Sequence, residues 1–60
     1  DLNEEESLIC SLLEKNPDGM QLNSLIVASN IPVNRLAGIM LELELKGVVR
    51  AAAGGMYRLL

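Results

Sequence analysis

Proline and glycine divide this 60-residue chain into short segments, and their spacing limits the possible folds more than any other feature. The Pro-Asp-Gly sequence at 17–19 is a strong turn signal, and Pro32 is disfavoured inside a helix. No segment approaches the roughly 20 apolar residues of a membrane span, and no signal peptide is visible. We therefore expect residues 1–60 to form a single small domain in the cytoplasm.

The first segment carries the signals of a helix start. Asn3 is a capping residue, Glu6 follows three positions later as its capping-box partner, and the carboxylates at 4–6 lie at the positive end of the helix dipole. Apolar residues then recur at helical spacing and predict one apolar stripe: Leu8, Ile9, Leu12 and Leu13. The helix is predicted to end by Asn16, before the turn.

A short second helix is predicted after the turn. Residues 20–22 are typical of an extended stretch, and Asn23 is a plausible cap for the helix that follows them. The apolar face of that helix is predicted to consist of Leu25, Ile26 and Ala28. Asn30 suits the left-handed conformation in which many helices end. The short helix, the turn and the longer helix after it form the outline of a helix-turn-helix.

The third helix is predicted to run from Val33 to about Lys46, with Gly47 as its terminating residue. Its apolar positions recur at helical spacing and should pack on the first two helices: Leu36, Ile39, Met40 and Leu43.

Two short strands are predicted at 48–51 and 56–59. Between them, Gly54 and Gly55 allow the positive backbone angles of a hairpin tip. The expected fold is mainly α: a winged helix-turn-helix of three helices with a short two- or three-stranded antiparallel wing.

The chain also resembles a known family, most specifically in its second half. Pro32-Val33 is followed by Leu-Glu-Leu-Glu-Leu-Lys-Gly-Val-Val-Arg at 41–50 and by Gly-Gly-Met-Tyr at 54–57. This pattern resembles the carboxy-terminal winged-helix domain of the DNA-processing protein DprA, also called Smf. The resemblance implies that these residues are the tail of a longer protein, in which a Rossmann-like domain binds single-stranded DNA and supports recombinase loading. It also implies an accessory module acting in natural transformation and recombination.

The charge balance weighs against DNA binding by this domain alone. The formal net charge is −3, whereas proteins that bind phosphate backbones are normally basic, and Tyr57 is the only aromatic residue on which a base could stack. Direct DNA contact is nevertheless an alternative, with base contacts from the third helix and phosphate contacts around the wing: Asn34, Arg35, Lys46, Arg50 and Arg58. The simpler interpretation is that these are solvated surface groups. A fragment of a transcriptional regulator with the same fold is a further alternative.

Two leucines of the third helix suggest a protein interface. Leu41 and Leu45 lie four residues apart and off the core-facing side of the helix, and with Ala37 they extend the apolar surface beyond the needs of one small core. Such a patch often marks a contact with protein. Other domains or subunits of the parent protein, a recombinase among them, are then the expected partners. The alternative is that both leucines pack beneath the wing or against the first helix.

No combination of residues forms a credible active site. The sequence has no histidine and one cysteine, Cys10, which therefore lacks an imidazole to activate it. The carboxylates at 4–6 are explained by the helix start, and the glycines at 54–55 by the hairpin tip. We expect no enzyme activity, no cofactor and no metal.

Overall fold

The computed structural model describes residues 2–60, which form three helices and one three-stranded antiparallel sheet. The elements, in chain order, are α1 (Glu4–Glu14), β1 (Met20–Gln21), α2 (Leu22–Ser29), α3 (Val33–Leu45), β2 (Val49–Ala52) and β3 (Met56–Leu59). The mainly helical winged helix-turn-helix is thereby confirmed, and its wing has three strands rather than two.

Helix α1 begins with the predicted capping box. The Asn3 side-chain oxygen accepts the Glu6 backbone N–H at 2.8 Å, and the Asn3 backbone N–H donates to Glu6 Oε1 at 3.0 Å. The predicted apolar stripe is wrong at one position, because Leu8 is 41% exposed. The buried face of the helix is centred on Glu6, Ile9 and Leu13, and it is rotated away from Leu8 and toward Cys10.

Helix α2 starts earlier than its predicted cap. Gln21 occupies the cap position without a side-chain hydrogen bond, and Asn23 lies inside the helix, so the prediction that Asn23 caps it is wrong. The reason is that Gln21 pairs with β3 as the last residue of β1, and the helix begins directly after it. Ala28 is exposed, which leaves Leu25 as the fully buried residue of α2. Asn30 ends the helix at φ 60° and ψ 27°, as predicted.

The connection between α2 and α3 bends the chain by 113°, within the range of about 90–120° that is typical of a helix-turn-helix. Within residues 2–60, no single helix is long and apolar enough to cross a membrane, and α2 and α3 reach that length only together, across this bend.

Helix α3 ends as the sequence predicts. Gly47 has φ 76°, its N–H donates to the Glu44 carbonyl at 3.0 Å, and the Val48 N–H donates to the Leu43 carbonyl at 2.9 Å. These two bonds form a Schellman motif. Because the Val48 N–H is used in this motif, β2 begins at Val49, one residue later than predicted.

The core lies between the three helices and the first residue of β2. Its eight buried apolar residues form one cluster: Ile9, Leu13, Leu25, Ile31, Leu36, Met40, Leu43 and Val49. All of the predicted core positions of α3 contribute, since Ile39 packs against the cluster from a partly buried position.

The wing has the strand order β1-β3-β2, so β3 pairs on both sides. Its register places Arg50 directly opposite Arg58, and Met20 opposite Tyr57. The hairpin tip is a tight turn at Ala53–Gly55, and both of its glycines have positive φ, as predicted.

Candidate interaction surface on the third helix

The side of α3 that faces away from the core carries four residues on one line. Leu36, Met40 and Leu43 are buried, and a helix of 3.6 residues per turn places Asn34, Gly38, Leu41 and Leu45 on the opposite side. In many winged-helix proteins this is the side that enters the major groove.

Leu41 and Leu45 are exposed to solvent. Leu41 is 57% exposed and Leu45 is 77% exposed, so neither packs beneath the wing or against α1. Ala37 is also exposed, and a Cβ added at Gly38 would find no atom within 4 Å. We call the surface formed by Ala37, Gly38, Leu41 and Leu45 the outer α3 face. The side chains of this face are apolar, and no neighbouring atom covers Gly38 at its centre.

Two basic residues on the flank of α3 are paired with carboxylates of α1. The Arg35 guanidinium forms an ion pair with Glu5, and Lys46 Nζ lies 3.0 Å and 3.1 Å from the two oxygens of Glu6. The sequence alone assigns both glutamates to the helix start. Lys46 and Glu6 are 40 positions apart, so no short sequence motif could have indicated that they pair. An acidic helix start combined with basic residues on another predicted helix is the pattern that could have suggested it.

Glu6 is the buried carboxylate of this network, at 3% exposure. Its oxygens accept hydrogen bonds from the Asn3 backbone N–H and from Lys46, and these bonds, in that order of importance, lower the pKa of Glu6 from its ordinary value of 4.5. Ionised Glu6 thus joins the start of α1 to the end of α3.

Acid should weaken this junction. Because the pKa of Glu6 is lower in the folded than in the unfolded chain, its ionisation stabilises the fold above pH 4.5, and this contribution is lost as the pH falls below that value. Glu6→Gln should therefore show a shallower loss of stability than the parent chain in urea unfolding between about pH 7 and pH 3. Glu44→Gln, at an exposed position of α3, is the control. A parent-like acid slope in Glu6→Gln would contradict the assignment.

Of the other candidate DNA-contact residues, Arg50 and Arg58 lie apart from this network and Asn34 adjoins it. The Asn34 side-chain oxygen accepts the Arg35 backbone N–H at 3.0 Å. Arg50 and Arg58 are exposed cross-strand partners on the wing, and neither takes part in the two ion pairs found in residues 2–60. The structure thus brings Arg50 and Arg58 together and places Lys46 with Glu6 instead.

Cys10 lies half-buried on α1. Burial raises the pKa of its thiol, and the carboxylates of Glu14 and Glu6 raise it further, so the thiol stays protonated at neutral pH. Throughout residues 2–60, no three His, Cys, Asp or Glu side chains are grouped closely enough to hold a metal ion.

One family model matches this chain. Its description is the DprA winged helix domain, and it matches residues 1–55, which include the three helices, β1, β2 and the tip of the wing. Comparisons with curated proteins and with solved structures each give no significant match. The family match covers well over half of the chain and agrees with the fold described above. The chain belongs to the DprA winged-helix domain family.

Proposed function

We propose that this domain is an accessory protein-contact module of a DprA-like DNA-processing protein, and that the outer α3 face is its contact surface. The observation that carries the proposal is the exposure of Leu41 and Leu45, at 57% and 77%, on the side of α3 opposite the core. Burial of these two side chains against a partner would remove apolar surface from water. This favours association by about 25 cal/mol for each Å² of apolar surface buried.

The chemistry of this surface favours protein over DNA as its partner. A helix that reads a major groove places polar side chains against base edges, whereas the middle of this face is Gly38, Leu41 and Leu45. The net charge of −3 adds repulsion from phosphate.

The role proposed for the parent protein rests on the family membership. We place the domain at the carboxy terminus of a cytoplasmic protein of the DprA (Smf) type that acts in natural transformation and recombination. The domain has no catalytic role in this proposal. Its partners are other domains or subunits of the parent protein, with a recombinase as a further candidate.

Glutamate substitution on the outer α3 face should weaken association without unfolding the domain. Leu41→Glu and Leu45→Glu introduce a charge that must be desolvated on binding, and we expect each to weaken binding of the 60-residue chain to its full-length parent protein by at least about tenfold. Titration calorimetry measures the affinity, and circular dichroism measures the helix content. Val27→Glu is the matched control, because Val27 is an 83% exposed valine on α2.

The proposal fails if both leucine variants bind as the parent does, or if Val27→Glu weakens binding equally.

The opposed arginines of the wing favour direct DNA contact as a second candidate function. An NMR titration with short single-stranded and duplex DNA at low salt tests it. Shifts confined to the start of α3 and the wing, weakened in Arg50→Ala and Arg58→Ala and fading as salt rises, would replace the protein-contact proposal.

A further inference from the structure

We propose that the outer α3 face binds the same face of a second copy of this chain, with the two α3 helices antiparallel. This inference rests on the proposed function and names its partner. It follows from three features of α3: the spacing of its exposed residues, the sizes of the residues that would meet, and the charges that flank them.

The spacing is that of a two-helix seam. Four residues of α3 opposite the core are separated by four, three and four positions: Asn34, Gly38, Leu41 and Leu45. Alternating steps of four and three keep a line of side chains facing a neighbouring helix, as in a coiled coil. Here α3 has one such line buried in its own core and a second one facing solvent.

At the centre of the seam, antiparallel pairing matches a large residue with a small one. With the two-fold axis between Gly38 and Leu41, each Leu41 faces the partner's Gly38, where an added Cβ would find open space. Each Leu45 faces the partner's Asn34. Parallel pairing would instead place glycine against glycine and leucine against leucine. The two glycines would leave a gap between the helices, and the two leucines would be too large for the space beside it.

The flanking charges also favour the antiparallel arrangement. Arg35 and Glu42 lie seven residues apart on the same flank of α3, and antiparallel helices bring equal flanks together. Arg35 therefore meets the partner's Glu42, and the symmetry repeats the pair. The guanidinium has five N–H donors, so it can contact Glu5 and the partner's Glu42 together. On the other flank, Glu44 meets the partner's Ala37, so no like charges are opposed.

The size of the contact sets the strength that we expect. Helix α3 has 13 residues, and pairing through one of its faces buries less than the roughly 1,200 Å² of a stable dimer. The association should therefore be weak and reversible, with a dissociation constant on the order of hundreds of micromolar.

Charge reversal gives the decisive experiment. Arg35→Glu places a carboxylate against the partner's Glu42, and Glu42→Arg places a guanidinium against the partner's Arg35. Sedimentation equilibrium of each variant alone should show dimerisation weakened by about tenfold relative to the parent chain at about 0.1 M salt. An equimolar mixture of the two variants should dimerise about as well as the parent, because each of the two flanking pairs in the heterodimer then joins a carboxylate to a guanidinium.

Residues 35 and 42 are about 10.5 Å apart along one helix, so recovery in the mixture cannot arise within a chain. Circular dichroism confirms that each variant is folded. The inference is overturned if the parent chain remains monomeric up to about 2 mM, or if the mixture stays as weak as its components. Binding to the full-length parent protein that is lost in Leu41→Glu would still support the proposed function in that case, because the parent also supplies its other domains, so the two failures are distinguishable.

Discussion

Leu36→Ala should lower the free energy of unfolding by about 2–5 kcal/mol, because it removes a fully buried side chain from the core-facing side of α3. Leu36 is 0% exposed and packs in the single cluster that joins all three helices to β2. A domain of this size has a total stability of roughly 3–9 kcal/mol. The substitution should therefore remove roughly half of the stability of the domain.

Leu41→Ala is the matched control for Leu36→Ala. It makes the same change in the same helix at a position that is 57% exposed, and alanine is the better helix former. We expect a change within about 0.5 kcal/mol. Urea denaturation followed by circular dichroism measures both variants. Equal losses of stability would mean that Leu41 belongs to the core, and would remove the basis of the proposed contact surface.

Gly19→Ala is expected to cost about 1–3 kcal/mol for two reasons that act together. Gly19 has φ +100°, which side-chain-bearing residues rarely adopt. An added Cβ would also lie 2.9 Å from the Tyr57 carbonyl oxygen and 2.9 Å from Arg58 Cγ. The arginine stem can move, but the Tyr57 carbonyl belongs to the central strand of the wing and cannot yield without disturbing the sheet.

Gly54→Ala separates strain from steric overlap. Gly54 also has positive φ, at 78°, but a Cβ added there would meet no atom within 4 Å. Its substitution should cost about 1 kcal/mol, the conformational part alone. Thermal unfolding of the two variants compares them directly. If Gly54→Ala proved as damaging as Gly19→Ala, close approach to β3 would not be the reason that position 19 is glycine.

The elements that could be predicted are those whose causes lie within a few residues. The capping box joins Asn3 to Glu6, and the Schellman motif joins Gly47 and Val48 to the last turn of α3. The left-handed Asn30 and the glycines of the hairpin tip are equally local. Interactions of this range are specified by neighbouring residue types, so the sequence was sufficient for the order and type of the elements.

The errors have a different origin. Periodicity showed that α1 has an apolar side, but its rotation toward Cys10 and away from Leu8 depends on what packs against it. Asn23 is a reasonable cap by residue type, but pairing of Gln21 with Met56 moves the helix start. Both outcomes depend on contacts between residues distant in the chain, which local propensity does not contain.

The same distinction between local and long-range causes applies to the candidate contact surface. By itself, the sequence determined that Ala37, Leu41 and Leu45 lie off the core-facing side of the third helix, because helical geometry follows from spacing alone. Whether those leucines were covered, and whether Arg35 and Lys46 had partners, was decided only by the tertiary structure. Docking of α1 against α3 provides Glu5 as the partner of Arg35 and Glu6 as the partner of Lys46. It leaves the two leucines exposed, because the short helices and the small wing bury one side of α3 and not the other.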